Sequence, residues 1–483
     1  MNLLHTIHLA TGDPIVPTVA LSTPVLLGIA AAGIAVLLLL IIRFRIHAFI
    51  ALLLVSVLVA VSAQIALGDI FTLVATGVGN TMGKVALIIA LGAILGRLIE
   101  VSGGVQSLAD HFTTVLGPKR VAIALTVVAF LVAIPVFFEV GVIVMVPIVY
   151  AFSKVAGFNP IKFGLPMFGL MLTVHVVVPP HPGIVAGAGV FGADIGLVAL
   201  VSLPICAVLG FLCYSIASLM NRRDYELAPS VAAQIAELGS SNTIITTTDK
   251  QGAVLAPPRA GLIILLIAIP IVQILAGTVA GLLLPVDTFA HGLSVFIGTP
   301  VFALLVAVGI AYFALPVKRG WPSRQTNEIF ESSFPPIASI LLVVAGGGVF
   351  GQVLQSSGIG AALASTLDSL GVPLMVLGFI VSLVLRAAQG SATVAIVTTG
   401  GLLATAVTGG DYSPLQIALI TVAVGFGSLG LSHVTDAGFW VVTRYLGLTV
   451  ADGLRTWTVL TTILGIAGFL ITYAVWLLVG ISA

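Results

Sequence analysis

The chain has 483 residues, 59% of them hydrophobic and only 7% charged, with a mean hydropathy of +1.25. Soluble domains carry about 25% charged residues, so a water-soluble enzyme or binding module is excluded and a multispanning helical membrane protein is indicated. A net charge of +1 without any basic tract leaves no nucleic-acid footprint.

Residues 1–23 carry no Lys or Arg ahead of an apolar run, so they read as a short outer tail and not as a cleavable leader. Spans are predicted at 24–42 and 47–67, joined by a tight turn that holds Arg43 and Arg45, and at 83–99. Asn80, Thr81 and Lys84 precede that third span and read as an interfacial anchor. The next apolar stretch, 121–151, is broken at Ile134-Pro-Val-Phe-Phe-Glu-Val-Gly141. Each arm is about 13 residues against the roughly 20 that cross a bilayer, which favours a re-entrant hairpin over one kinked span. The run 163–178 is interrupted by Pro179-Pro-His-Pro-Gly183, whose prolines remove amide donors and forbid a continuous helix. It resumes to 190, and the span 195–220 closes the first half. Cys206 and Cys213 share that last span, about 10 Å apart along the axis, too far for a disulfide.

Residues 221–259, rich in Ser, Thr, Ala and mixed charge, read as a cytoplasmic polar linker. The second half (260–483) then repeats the first (24–220): spans at 260–284, 292–315 and 336–354, an interrupted stretch at 373–403, a broken helix around Ser432-His-Val-Thr-Asp-Ala-Gly-Phe-Trp440, and a last span at 457–479. A shift of 255 aligns Ala90 with Ala345, Gly92 with Gly347, Gly96 with Gly351, Ser102 with Ser357, Gly103 with Gly358, Pro118 with Pro373, Gly183 with Gly438, Gly192 with Gly447 and Gly210 with Gly465. In this register His181 falls on Asp436, so the two helix breaks are equivalent. The fold class is therefore an all-α polytopic membrane protein of two inverted repeats. Each holds about five transmembrane helices plus a re-entrant hairpin, with one helix broken near the midplane.

Charge bias gives the same answer. With both termini outside, the inner loops collect Arg43, Arg45, Lys119, Arg120, Lys154, Lys162, Arg222, Arg223, Lys318, Arg319, Arg324, Arg444 and Arg455. The outer connections, near Asp69, Asp194, Asp287 and Asp368, hold almost none, Lys84 being the nearest exception.

Four polar clusters fall at membrane depth: Phe137-Phe-Glu139-Val-Gly141, His175 with 179–183, Arg386-Ala-Ala-Gln389-Gly-Ser391-Ala-Thr393, and 432–440. An ionisable residue at the centre of a span costs at least about 2.5–3.5 kcal/mol, so Glu139, Arg386 and Asp436 need a purpose or a partner. In the functional reading Arg386 binds an anionic group bidentately, and Gln389, Ser391 and Thr393 donate hydrogen bonds. The amides that open each half-helix add positive potential. In the structural reading Arg386 is a buried bridge to Glu139 or Asp436. Apolar surroundings penalise a charged Glu139, which makes it a candidate proton carrier. Asp436 is either a second proton carrier, a hydroxyl acceptor or a structural acid. His181 is placed to titrate or to cap a carbonyl; His175, His433 and Thr435 complete the candidate set. His175 and His181 lack the spacing and third ligand of a zinc helix. No phosphate-binding Walker loop is present, so ATP does not drive the protein directly. The triplet Gly346-Gly-Gly348 suits close helix packing.

At these clusters the chain resembles the gluconate:proton symporter family, within the wider ion-transporter superfamily, over nearly its whole length. The resemblance is carried by Gly92-Ala-Ile-Leu-Gly96 with Glu100-Val-Ser-Gly-Gly104, Phe137-Phe-Glu-Val-Gly141, Pro179-Pro-His-Pro-Gly183, Arg386-Ala-Ala-Gln-Gly-Ser-Ala-Thr-Val-Ala395 and 432–440. It implies import of gluconate or a related sugar acid by proton symport, no cofactor beyond the proton, a cytoplasmic-membrane location and a homodimer. The family pattern at the last cluster is similar to Ser-His-Val-Asn-Asp-Ser-Gly-Phe-Trp; here Thr435 stands for the Asn and Ala437 for the Ser. That exchange bears on which substrate is read. Two other functions are compatible with parts of the sequence: a sodium-coupled carrier of a di- or tricarboxylate with the same architecture, and an intramembrane hydrolase using His and Asp at depth.

Overall fold

A computed structural model describes residues 15–117, 120–223, 225–237, 247–362, 366 and 373–481. Residues 1–14 of the expected tail lie outside it, as do Pro118, Lys119, Asp368, and residues 224 and 238–246 of the expected linker. Among the described residues the fold is all helical, with one isolated bridge between Thr248 and Val254.

The first half runs α1 (Thr23–Ile42), α2 (Ala48–Ser62), α3 (Ile70–Val101), α4 (Gly104–Leu116), α5 (Val121–Val132), α6 (Phe138–Ala156), α7 (Ile161–Val177), α8 (Pro182–Phe191) and α9 (Ile195–Met220). The linker contributes the short α10 (Pro229–Glu237). The second half comprises α11 (Ala260–Leu283), α12 (Phe289–Gly298), α13 (Pro300–Tyr312), α14 (Ser323–Glu331), α15 (Pro335–Ser356), α16 (Leu374–Gln389), α17 (Ala392–Thr408), α18 (Pro414–Leu429), α19 (Ala437–Tyr445) and α20 (Val459–Ile481). Seven described helices are long and apolar enough to cross a membrane, or eight if the bent α3 is one span.

Every predicted interruption in the apolar stretches appears: 133–137 between α5 and α6, 178–181 between α7 and α8, Gly390–Ser391 between α16 and α17, and 430–436 between α18 and α19. Two expectations are corrected. The third span does not start at 83; Asn80, Thr81 and Lys84 lie inside α3, which bends by 42° at that point. Thr81 is buried because it meets Gly348 of α15, where only a glycine leaves room. The expected span 292–315 is split at Thr299, where Pro300 opens a new helix that ends in the π-helical turn Phe313–Val317. The linker is tied to the helices at two points: Ala228 N–H donates to the Gly447 carbonyl at 3.1 Å, and Asn159 donates to the Tyr225 carbonyl at 3.0 Å.

The glycine triplet acts in packing. Gly346 faces Leu52 of α2, Gly347 faces Val397 of α17, and Gly348 faces Thr81 of α3. In the first half, Gly96 of α3 lies directly against the Pro135 carbonyl in the α5–α6 break, so a side chain there would displace that tip. The next residue, Arg97, donates to Glu100 at 2.7 Å and to Ser332 at 3.1 Å, beside the same tip. Close backbone approach of this kind is how helices associate where burial in lipid supplies no hydrophobic drive.

Candidate functional site

The four breaks converge on one cavity of about 440 Å³, within the size range of small-molecule sites. Its wall holds Phe137, Phe138 and Glu139 around the start of α6, His175 near the end of α7, His181 in the α7–α8 break, Arg386 and Gln389 to Val394 around the α16–α17 tip, and Asp436 to Gly438 at the start of α19. Its more exposed rim is formed by Ile41, His47, Ala48, Ser339 and Ile340, with His47 Nε2 and Ser339 Oγ 3.1 Å apart; the buried Val343 also lines it. The rim residues were not expected from sequence, because they sit on unbroken helices with no polar cluster.

Each break ends in a helix start, and each start brings chemistry to the cavity. Asp436 is the N-cap of α19 and accepts from Gly438 N–H at 2.9 Å. Ser391 is the N-cap of α17 and accepts from Val394 N–H at 3.3 Å. Gly390 closes α16 in the left-handed region at φ +76 and lies directly against the Thr435 carbonyl.

Arg386 and Asp436 are both buried and form an ion pair. Arg386 Nη1 also donates to the Gly390 carbonyl at 2.7 Å, which leaves only Nε without a partner. Asp436 Oδ2 accepts from Arg386 and from the Ser432 hydroxyl. Asp436 is thus the partner of Arg386, one of the two acids that the sequence offered for a buried bridge. Glu139 is different: it projects into the cavity and has no ion-pair partner among the described residues. The charged groups of the cavity are thus one guanidinium and two carboxylates, +1 against −2, a net of −1 with both acids ionised.

Several polar groups in the wall are buried without a protein partner: both ends of the Gln389 amide, His181 Nδ1 and Arg386 Nε. Buried polar atoms are normally paired, so these are the groups left for a ligand or water. His175 and His181 stack edge to face with ring centroids 4.2 Å apart, and Phe137 and Phe138 flank His175 at 6.1 and 6.4 Å. Thr393 lines the cavity beside Gln389.

Two candidates stand apart. His433 and Thr435 do not line the cavity; the Thr435 hydroxyl faces the Ala387 carbonyl at 3.3 Å, and the His433 carbonyl accepts from Asp436 N–H at 2.8 Å. Ala437, by contrast, is an exposed part of the wall. Among the described residues no group of three His, Cys, Asp or Glu is arranged to hold a metal ion.

Residues 25–479 match the GntP family of permeases. The inner membrane permease YgbN of Escherichia coli is 50% identical over 456 residues, covering 94% of this chain and 99% of that one. The gluconate permease of Pseudomonas aeruginosa is 33% identical over 439 residues, 89% of this chain and 93% of that one. In fold, the chain is similar to the crystal structure of the Alcanivorax borkumensis YdaH transporter, with a TM-score of 0.57 at 16% identity, covering 86% of this chain and 90% of that one.

Proposed function

The chain belongs to the GntP family of permeases, and on that premise we propose that it imports a small hydroxylated carboxylate, gluconate or a related sugar acid, by proton symport. It is a polytopic membrane protein, and the relatives it matches are permeases and transporters rather than enzymes. The gluconate permease of Pseudomonas aeruginosa supplies the substrate class.

The observation that carries proton coupling is the charge of the cavity. Arg386 is already neutralised by Asp436, and Glu139 adds an acid with no ion-pair partner. An anion entering a site of net −1 meets repulsion that low-dielectric surroundings strengthen. One proton on Glu139 makes the empty site neutral, so anion and proton enter together. In this reading Arg386 Nε, Gln389, His181, Ser391 and Thr393 meet the substrate, with the amides at the start of α17 and α19 adding positive potential. Asp436 orients Arg386 and is the second acid able to take part in coupling. His433 and Thr435 act on the tip from outside the cavity.

The broader architecture follows the same proposal. The two halves are inverted repeats, α5–α6 and α16–α17 are hairpins entering from opposite sides, and both termini lie outside. The cavity rim, carried by the N-terminal ends of α2 and α15, then faces the cytoplasm. The functional unit is a homodimer in the cytoplasmic membrane.

Proteoliposome uptake of labelled gluconate under an imposed pH gradient or an imposed sodium gradient tests the reading. Accumulation should follow the pH gradient alone. Uptake that follows sodium and ignores the pH gradient overturns proton coupling; absence of sugar-acid uptake overturns the substrate class.

A further inference from the structure

Trp457 lies outside the cavity, is fully buried, and in the sequence was no more than the first residue of the last span. The structure puts it in the π-helical turn Leu454–Thr458 that precedes α20. Such turns carry an extra residue and re-aim the side chains around them.

Its edge and its face each reach a charged part of the site through one intervening residue. The indole Nε1–H donates to Ser432 Oγ at 2.7 Å, and the Ser432 hydroxyl donates in turn to Asp436 Oδ2. The neighbouring Thr458 hydroxyl holds the Ser432 carbonyl at 2.6 Å, so the serine is fixed at both ends. A serine hydroxyl has one proton to give. With one lone pair engaged by the indole, that proton is directed to Asp436 Oδ2, the oxygen that also accepts from Arg386. The ring face of Trp457 stacks on Phe138, centroids 5.9 Å apart at 29°. Phe138 is the first residue of α6 and the one before Glu139.

We propose that Trp457 is a positioning residue for transport: its N–H sets the Ser432–Asp436–Arg386 chain, and its ring face seats the start of α6 that presents Glu139. The proposal rests on the reading of the cavity as a sugar-acid site with Glu139 as proton carrier. Only tryptophan combines a buried edge donor with a flat apolar face of this size. Phenylalanine keeps the face and loses the donor, so the two contributions separate.

The test is gluconate binding to the purified full chain in detergent, with proton uptake followed by an indicator dye in weak buffer. Trp457→Phe should raise the gluconate Kd about tenfold while protons taken up per anion bound stay as in wild type. Ser432→Ala should match it, and the double variant should be no worse than either, because both remove one chain. Phe138→Leu, which removes the stacking partner and keeps the chain, should instead lower protons taken up per anion. Thermal unfolding confirms that each variant is folded. Wild-type affinity in Trp457→Phe, or fully additive losses with Ser432→Ala, overturns the role of Trp457. A wild-type chain that binds no gluconate overturns the substrate reading, and this one with it.

Discussion

Arg386 and Asp436, 50 residues apart in sequence, close a buried ion pair that ties the α16–α17 tip to the α18–α19 break. The tie is reinforced by the Gly390 carbonyl, which takes a second guanidinium nitrogen. A lysine cannot serve both acceptors with one planar fork. Removing one partner of a buried pair leaves an uncompensated charge at a cost of about 3–5 kcal/mol, whereas an apolar pair of similar size is tolerated better. Arg386→Lys, which gives up one of the two acceptors, and Asp436→Asn, which leaves the guanidinium uncompensated, should each lower the melting temperature in detergent and abolish gluconate binding. The double variant Arg386→Met/Asp436→Leu should melt nearer to wild type and still not transport. Single variants that melt and bind like wild type would refute the assignment.

Glu139→Gln fixes the proposed carrier in a neutral state. In the wild type, accumulation should rise as the outer pH falls below the inner one. In the variant that dependence should disappear and net accumulation should fail, while exchange of labelled for unlabelled gluconate continues. Counterflow and pH-jump uptake in the same proteoliposomes distinguish the two.

Gly390 and Gly192 share a left-handed backbone, φ +76 and +73, but only Gly390 has backbone against its Cα. An L-residue in this region costs about 1–2 kcal/mol. Gly192→Ala should show that cost alone and keep transport. Gly390→Ala must also push away the Thr435 carbonyl, so it should destabilise more and halt uptake. Equal melting shifts for the two variants would contradict the close approach.

Ala437 and Thr435 depart from the pattern that this chain otherwise resembles, and the structure separates them. Ala437 is in the cavity wall, whereas the Thr435 side chain faces Ala387. Ala437→Ser should change relative affinities within a panel of sugar acids by about fivefold, one hydrogen bond's worth. Thr435→Asn should leave the ranking unchanged. A ranking that responds to position 435 and not 437 would reverse the assignment.

Much of this was legible in the letters because breaks in membrane helices need unusual residues. Three prolines around His181 and the polar run 432–440 cannot continue an apolar helix, and both breaks lie where expected. What escaped the sequence depended on partners distant in the chain. Thr81 resembles part of an interfacial anchor until Gly348 is set beside it, and α3 runs on through this polar stretch. Thr299 gave no warning of a break, because the following Pro300 fits a helix start as well as a kink. The register paired Asp436 with His181 as equivalents by symmetry, which says nothing about contact; contact goes to Arg386. Trp457 drew no notice, since an aromatic at a span end is ordinary in membrane proteins.

Three consecutive glycines of α15 meet three different helices, α2, α17 and α3. Because successive helical positions are about 100° apart, these contacts spread over about 200° of the helix circumference within one turn. Any rotation of α15 about its axis would drive larger neighbours into space that only a hydrogen atom fills. The three glycines thereby key α15 to α2, α17 and α3 at once, so a larger residue at any one of them must displace a different neighbour.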